Sequence, residues 1–309
     1  MDCLILVSIK IAKKPMTRSI LLLLLISFVT LSKAQAQEET YEYLGVIKLN
    51  DSAFIPYKLA FENRAGVITG YSLSDLGGKH ETKSNLIGSY DEKTDLLTFN
   101  EYDIVYTKSP IEELDMCLVH FKGKVRKLRK SKAFSGDFKG KYPDGTSCLN
   151  GMIIVSNAQK VEERVAKIDK KVQKSKRVSQ EIKDKFSAKR TLDTLTMTTV
   201  RNGENLNIFT KSETLTLTIY DSGKVDDDRI QLMVNETVIL EDYSIVKEPK
   251  EIPITLLRNT PNVITVKALD EGTSAPNTVK VEIQDGERLI TTRTSLKTGE
   301  VAKLTLVQQ

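Results

Sequence analysis

The sequence predicts a mainly β protein: an N-terminal antiparallel barrel or sandwich, a long basic helical linker, and a C-terminal immunoglobulin-like β-sandwich. Three observations predict it. Short apolar runs with period-two alternation recur through residues 41–157 and again through 195–309, separated by Gly, Pro, Asn and Asp turn residues. Between these regions, Lys160 to Arg190 holds neither Gly nor Pro and carries a helical repeat. The second β-region has a strand count and a length of about 115 residues that suit an immunoglobulin-like sandwich. The expected segments are a signal peptide over 1–36, a barrel-like domain over 37–156, a lysine-rich helical linker over 157–192 and a sandwich over 193–309.

Met16-Thr-Arg-Ser19 precedes an almost purely apolar run from Ile20 to Leu31, and Ala34 and Ala36 supply an Ala-x-Ala cleavage site. That is the pattern of a secretory signal whose true start is Met16. The run falls short of the roughly 20 apolar residues that a membrane span needs. No Cys follows it, which argues against a lipid anchor. The expected location is therefore periplasmic, outer-membrane-associated or extracellular; an uncleaved signal would instead anchor the chain in the inner membrane.

Eight strands are expected in the first region, near Tyr43–Leu49, Phe54–Phe61, Val67–Leu73, Asn85–Tyr90, Leu96–Tyr106, Cys117–Val125, Ala133–Lys139 and Leu149–Val155. Hairpin-length links such as Pro143-Asp144-Gly145 join them, as in an up-and-down barrel. Only Cys117 and Cys148 follow the signal, an even pair that an oxidising compartment is expected to bridge. In strand rhythm and in the hairpin Gly66-Val-Ile-Thr-Gly70, this half resembles small lipocalin or avidin-type barrels. It lacks the Gly-x-Trp of lipocalins; Gly45-Val46-Ile47 stands there instead. The resemblance implies architecture, with the interior either filled by side chains or holding a small apolar ligand.

In the linker, Val161, Val165, Ile168, Val172, Ser175, Ser179, Ile182 and Phe186 alternate four- and three-residue spacings, a narrow coiled-coil-like seam. Lys160 to Arg190 has 12 Lys/Arg against 5 Asp/Glu, a net of +7. A solvated spacer, self-association through the Val161–Phe186 seam, and contact with an anionic surface all fit this pattern. A second basic run, Lys122, Lys124, Arg126, Lys127, Arg129, Lys130 and Lys132, contains no acid. The whole chain carries +5, and +1 once residues 1–36 are removed, so two basic segments stand on an acidic body. These seven residues, with Lys170, Lys171 and Lys174, are the candidate contacts for an anionic lipid or glycan. Nucleic acid is not expected as a partner of an exported chain that lacks Trp and any nucleic-acid-binding motif.

Ten strands are expected in the last region, from Thr196–Val200 to Glu300–Val307. Tyr220-Asp-Ser-Gly-Lys-Val-Asp-Asp-Asp-Arg-Ile230, Val234-Asn235, and Asn262 through Asp270 to Asn277-Thr-Val279 carry a sharper likeness. They are similar to a C-terminal module of secreted, mostly uncharacterised proteins of gut and gliding Gram-negative bacteria. Asp227, Glu236 and Ala275 depart from that pattern, where Gly, Gly and Pro are usual. The resemblance implies a sandwich, export and no particular reaction. Asp221, Asp226 and Asp228 could supply oxygens to a Ca²⁺ ion, or Asp side chains could cap a tight turn. No other cofactor is expected.

His80 and His120 are the only histidines, and no phosphate loop, Gly-x-Ser-x-Gly or zinc-ligand spacing occurs. The chain therefore reads as non-catalytic: an exported binding or structural protein of the bacterial cell envelope, with an envelope protein, anionic lipid or glycan as partner. The alternatives are a lipocalin-like carrier and, behind it, a glycan-active enzyme whose carboxylate pair is set by space rather than spacing. Asp51-Ser-Ala53 and Asp193-Thr-Leu195 match an O-glycan acceptor pattern of such bacteria.

Overall fold

Strand pairing closes the first eight strands into a barrel. β1 (Glu39–Lys48), β2 (Phe54–Arg64), β3 (Val67–Ser74), β4 (Thr82–Asp91), β5 (Leu96–Thr107), β6 (Leu118–Lys124), β7 (Ala133–Lys141) and β8 (Ser147–Asn157) each pair antiparallel with the next. β8 returns to β1 and completes the circuit. The computed structural model describes residues 39–110, 113–185, 197–221 and 227–309. The expected signal segment, Phe186, Asp193–Leu195 and Asp226 lie outside these.

The alternation read from the sequence is the inward face. Tyr57, Leu59 and Phe61 of β2, Leu97 and Phe99 of β5, and Ile153 and Val155 of β8 are all buried in one cluster. Aromatic rings pack against one another within this cluster. Phe99 stacks on Phe121 with centroids 5.1 Å apart, and Phe134 meets Tyr43 edge-on at 5.0 Å. Phe121 needs room from the neighbouring strand: a Cβ on Gly136 would stand 2.9 Å from its ring.

The C-terminal ten strands form two sheets. β9 (Thr198–Arg201), β11 (Thr214–Tyr220), β14 (Lys250–Thr255), β16 (Lys280–Asp285) and β17 (Arg288–Ser295) make one, in the order β14-β11-β16-β17-β9. β10 (Asn205–Thr210), β12 (Arg229–Val234), β13 (Thr237–Ser244), β15 (Asn262–Ala268) and β18 (Val301–Gln308) line up as β13-β12-β15-β18-β10. Leu215, Leu217 and Ile283 of the first, and Ile230, Ile264 and Leu304 of the second, meet in one buried cluster. Among the described residues two pairings are parallel, β10 with β18 and β9 with β17.

The barrel and these sheets are not held apart. β10 adds to the end of β5 through Asn207↔Thr107 and Ile208↔Tyr106, so a single sheet runs from barrel to C-terminal region. Leu73, Val105 and Tyr106 of the barrel belong to the C-terminal core cluster, and Phe209 packs with Ile104, Met116 and Leu118. The described residues from 39 to 309 belong to one compact unit. The expected spacer rod is corrected accordingly. The helical segment is also broken: α1 (Ala158–Lys174) stops, and α2 (Gln180–Lys185) starts anew. The seam serines cause the break. Ser175 takes an extended conformation and its Oγ accepts from the Arg177 N–H, while Ser179 accepts from the Ile182 and Lys183 N–H groups as the cap of α2. Ser favours such local bonds over helix interior. α2 then meets α1, where Gln173 Nε2 donates to the Lys183 carbonyl at 3.0 Å.

Buried polar groups lock the junction. Lys108, with its side chain 1% exposed, donates to the Thr199 carbonyl at 2.5 Å and pairs with Glu204 at 3.0 Å. Glu81, fully buried, accepts from the Gly77 N–H at 2.5 Å and from the Thr198 hydroxyl. Lys108→Ala removes the cation from a half-buried carboxylate and the donor from a buried carbonyl. It is expected to cost about 2 kcal/mol and to separate urea unfolding of the barrel from that of the C-terminal sheets. Coincident near-UV and far-UV transitions at an unchanged midpoint would contradict this role.

Candidate functional site

The basic residues singled out above begin on β6 and at a barrel end. Lys122 and Lys124 lie on the outer face of β6, opposite Thr98 and Leu96. The chain then turns over the barrel end. Leu128 is its apolar plug, 2% exposed and part of the barrel core. Tyr90 fixes the turn: its hydroxyl donates to the Val125 carbonyl at 3.1 Å and accepts from the Leu128 N–H at 3.1 Å. Asp95 accepts from the Lys127 N–H at 2.9 Å, and that bond, with the Tyr90 hydroxyl and the nearby Arg126 and Lys127 charges, holds its carboxyl below the usual range. With Leu128 buried, Arg126, Lys127, Arg129 and Lys130 point into solvent. Arg129 is partly committed, since it forms an ion pair with Glu39. A cleft of about 270 Å³ opens here, lined by Tyr41, Tyr90, Glu92, Asp95, Lys127 and Arg129 among others. Its charges are mixed, so this cleft does not select anions.

Lys132 ends the turn, and the β7–β8 hairpin brings it to the helix. Ala133 pairs with Ser156, so Lys132 faces Asn157, whose N–H donates to the Lys132 carbonyl at 2.8 Å. Asn157 precedes the first residue of α1. Lys160 in the first turn therefore stands beside Lys132. Partial desolvation and then the Lys132 ammonium, with Arg164 behind it, lower the Lys160 pKa. The two basic segments thus meet at Lys132 and Lys160 and make one surface. Lys170, Lys171 and Lys174 continue it and line a shallow depression with Lys167 and Ser175.

The seam residues are only partly covered. Val161, Val165 and Val172 are half-buried, Ile168 is 50% exposed and Ile182 is 55% exposed. α1 touches β1 and β8 near its start, where Ala158 is buried. Among the described residues no helix is long and apolar enough to cross a membrane.

Cys117 and Cys148 are joined by a disulfide, with Cα atoms 6.0 Å apart. It links the residue before β6 to β8 and passes over β7, the strand between them. Asp221 and Asp228 are both buried at one end of the C-terminal sheets, and Asp228 Oδ2 accepts from the Thr278 N–H at 3.0 Å. Among the described residues no cluster of three metal-binding side chains occurs. His80 Nδ1 contacts the Ser109 hydroxyl at 3.0 Å, yet among the described residues no carboxylate orients that ring, as a catalytic Ser–His pair would need. His120 sits on β6, and burial followed by the Lys141 charge lowers its pKa.

Sequence reasoning missed Glu101, a buried carboxylate inside the barrel. Its Oε1 accepts from Tyr57 at 3.0 Å and Ser72 at 2.5 Å, and its Oε2 accepts from the Val119 N–H at 2.8 Å. It shares strand parity with Leu97 and Phe99, which was the available signal. Comparison with protein families, curated proteins and solved structures found no match.

Proposed function

We propose that the protein is an exported, non-catalytic binding protein of the bacterial cell envelope that contacts anionic lipid or glycan through its joined basic surface. The observation that carries this reading is the meeting of the two basic segments at Lys132 and Lys160. Like charges brought together on a rigid barrel raise the local potential and attract polyanions. The signal-like residues 1–36 and the Cys117–Cys148 bridge support export. The C-terminal ten strands, read as an immunoglobulin-like module, serve as a platform braced against β5. The barrel interior, packed with Tyr43, Tyr57, Phe61, Phe99 and Phe121, weighs against a lipocalin-like carrier.

The test is binding of the mature protein to phosphatidylglycerol vesicles and to an acidic-polysaccharide resin. Changing Lys132, Lys160 and Arg164 to Gln is expected to weaken retention by about tenfold at low salt with an unchanged thermal midpoint. Wild-type protein that passes through both supports in low salt would end this reading.

A further inference from the structure

α1 carries more order than a solvated lysine-rich helix needs. Lys160, Arg164, Lys167, Lys171 and Lys174 follow one another at spacings of four, three, four and three residues. That rhythm keeps successive side chains on one face, so these five cations form a single ridge. At the helical rise it runs about 21 Å. Each basic residue precedes a seam position by one: Val161, Val165, Ile168, Val172 and Ser175. The basic ridge therefore lies immediately beside the apolar one. The other flank of the apolar ridge carries Glu162 and Asp169, which follow Val161 and Ile168, while exposed Glu163, three residues after Lys160 and four before Lys167, is the one acid of α1 at the edge of the basic ridge. Among the described residues, no carboxylate lies within salt-bridge distance of any of the five cations. All but the half-buried Lys160 are exposed, and Lys132 extends the ridge at its head.

This arrangement discriminates between the two anionic partners. A helix lying on an anionic membrane would press its apolar ridge into the surface and bring both flanks against the headgroups. Glu162 and Asp169 would then face like charge, and the Val-rich ridge offers little area to bury. A linear polyanion can follow the five cations, meeting only Glu163 at their edge, and leave Glu162 and Asp169 on the far flank. We infer that α1 is a binding rail for a linear acidic polysaccharide, aligned with the helix and reaching Lys132 at its head. The inference rests on the anionic-partner reading above and names its ligand class.

The experiment compares the mature protein with two charge-matched variants, using a polygalacturonate oligomer in solution and phosphatidylglycerol vesicles as the second probe. One variant changes the five ridge residues to Gln. The other changes Lys211, Lys247, Lys250, Lys297 and Lys303, all exposed on the C-terminal region, to Gln. The ridge variant is expected to bind the oligomer about 50-fold more weakly, with a shallower salt dependence, while the control stays within about threefold. A third variant with the four ridge lysines changed to Arg should keep the affinity, which separates lost charge from lost helix. Equal losses in ridge and control variants would overturn the rail in favour of diffuse attraction. Binding to vesicles but not to the oligomer would overturn it while sparing the broader reading. Binding to neither would remove both.

Discussion

Gly140→Ala is expected to leave Cys117 and Cys148 unbridged in much of the protein and to lower the unfolding free energy by about 3 kcal/mol or more. Gly140 lies on β7, directly beneath the disulfide that crosses from Cys117 to Cys148. A Cβ there would stand 2.5 Å from the Cys117 Sγ, 2.9 Å from the Cys148 Sγ and 2.1 Å from the Leu149 carbonyl oxygen. The last is backbone of the paired strand and cannot rotate aside. Either β7 drops away from β8 or the bridge does not close. The loss of a cross-link over 31 residues is worth about 3 to 4 kcal/mol on the chain-entropy estimate. Two measurements check this: a thiol titration of the unreduced, denatured protein, and the urea midpoint. Repeating the substitution in a Cys117→Ala, Cys148→Ala background should cost less, because two of the three close contacts are gone. An alanine variant with no free thiol and an unchanged midpoint would show that β7 tolerates the side chain.

Much of this architecture was legible because local rules decide it. All eight barrel strands fall within a few residues of the alternating runs, since period-two patterning and turn residues are short-range signals. The junction was not legible. The β5–β10, β10–β18 and β9–β17 pairings join residues far apart in the chain without a tight turn, so no local pattern encodes them. The linker was misread for a definable reason. Ser175 and Ser179 sit at seam positions and keep the repeat intact on paper, but their hydroxyls make the local bonds that end one helix and start the next. The meeting of Lys132 with Lys160 lay within reach. Once the turn at Pro143–Gly145 closes the hairpin, its register carries Lys132 to Asn157, and the two basic segments become neighbours. Lys108 and Glu81, polar residues buried at the junction, follow from the tertiary pairing and not from their own surroundings in the chain.

Glu101 should make the barrel's stability depend on pH in the direction opposite to that of most carboxylates. Burial pushes its carboxyl above the ordinary range, and the donors Ser72, the Val119 N–H and Tyr57 pull it back only in part. A folded-state value above the unfolded one means that the folded protein holds the proton more tightly. Its contribution is complete below the unfolded carboxylate pKa, near 4.5, and is lost as pH rises through the raised folded value. Glu101→Ala leaves two hydroxyls and one amide buried without an acceptor, and a loss of about 3 kcal/mol is expected at acidic pH. Glu101→Gln keeps an acceptor for the hydroxyls but turns an N–H₂ toward the Val119 N–H, so it should also destabilise the protein at low pH, by about 1 to 2 kcal/mol. Unlike the wild type it has no proton to lose. Its deficit should therefore shrink as pH climbs from 4.5, as the wild type loses stability to an ionised, desolvated carboxylate. Urea midpoints of both proteins across that interval decide the matter. A deficit that widens with pH would mean that the three hydrogen bonds outweigh burial and that the folded carboxyl titrates below its ordinary range.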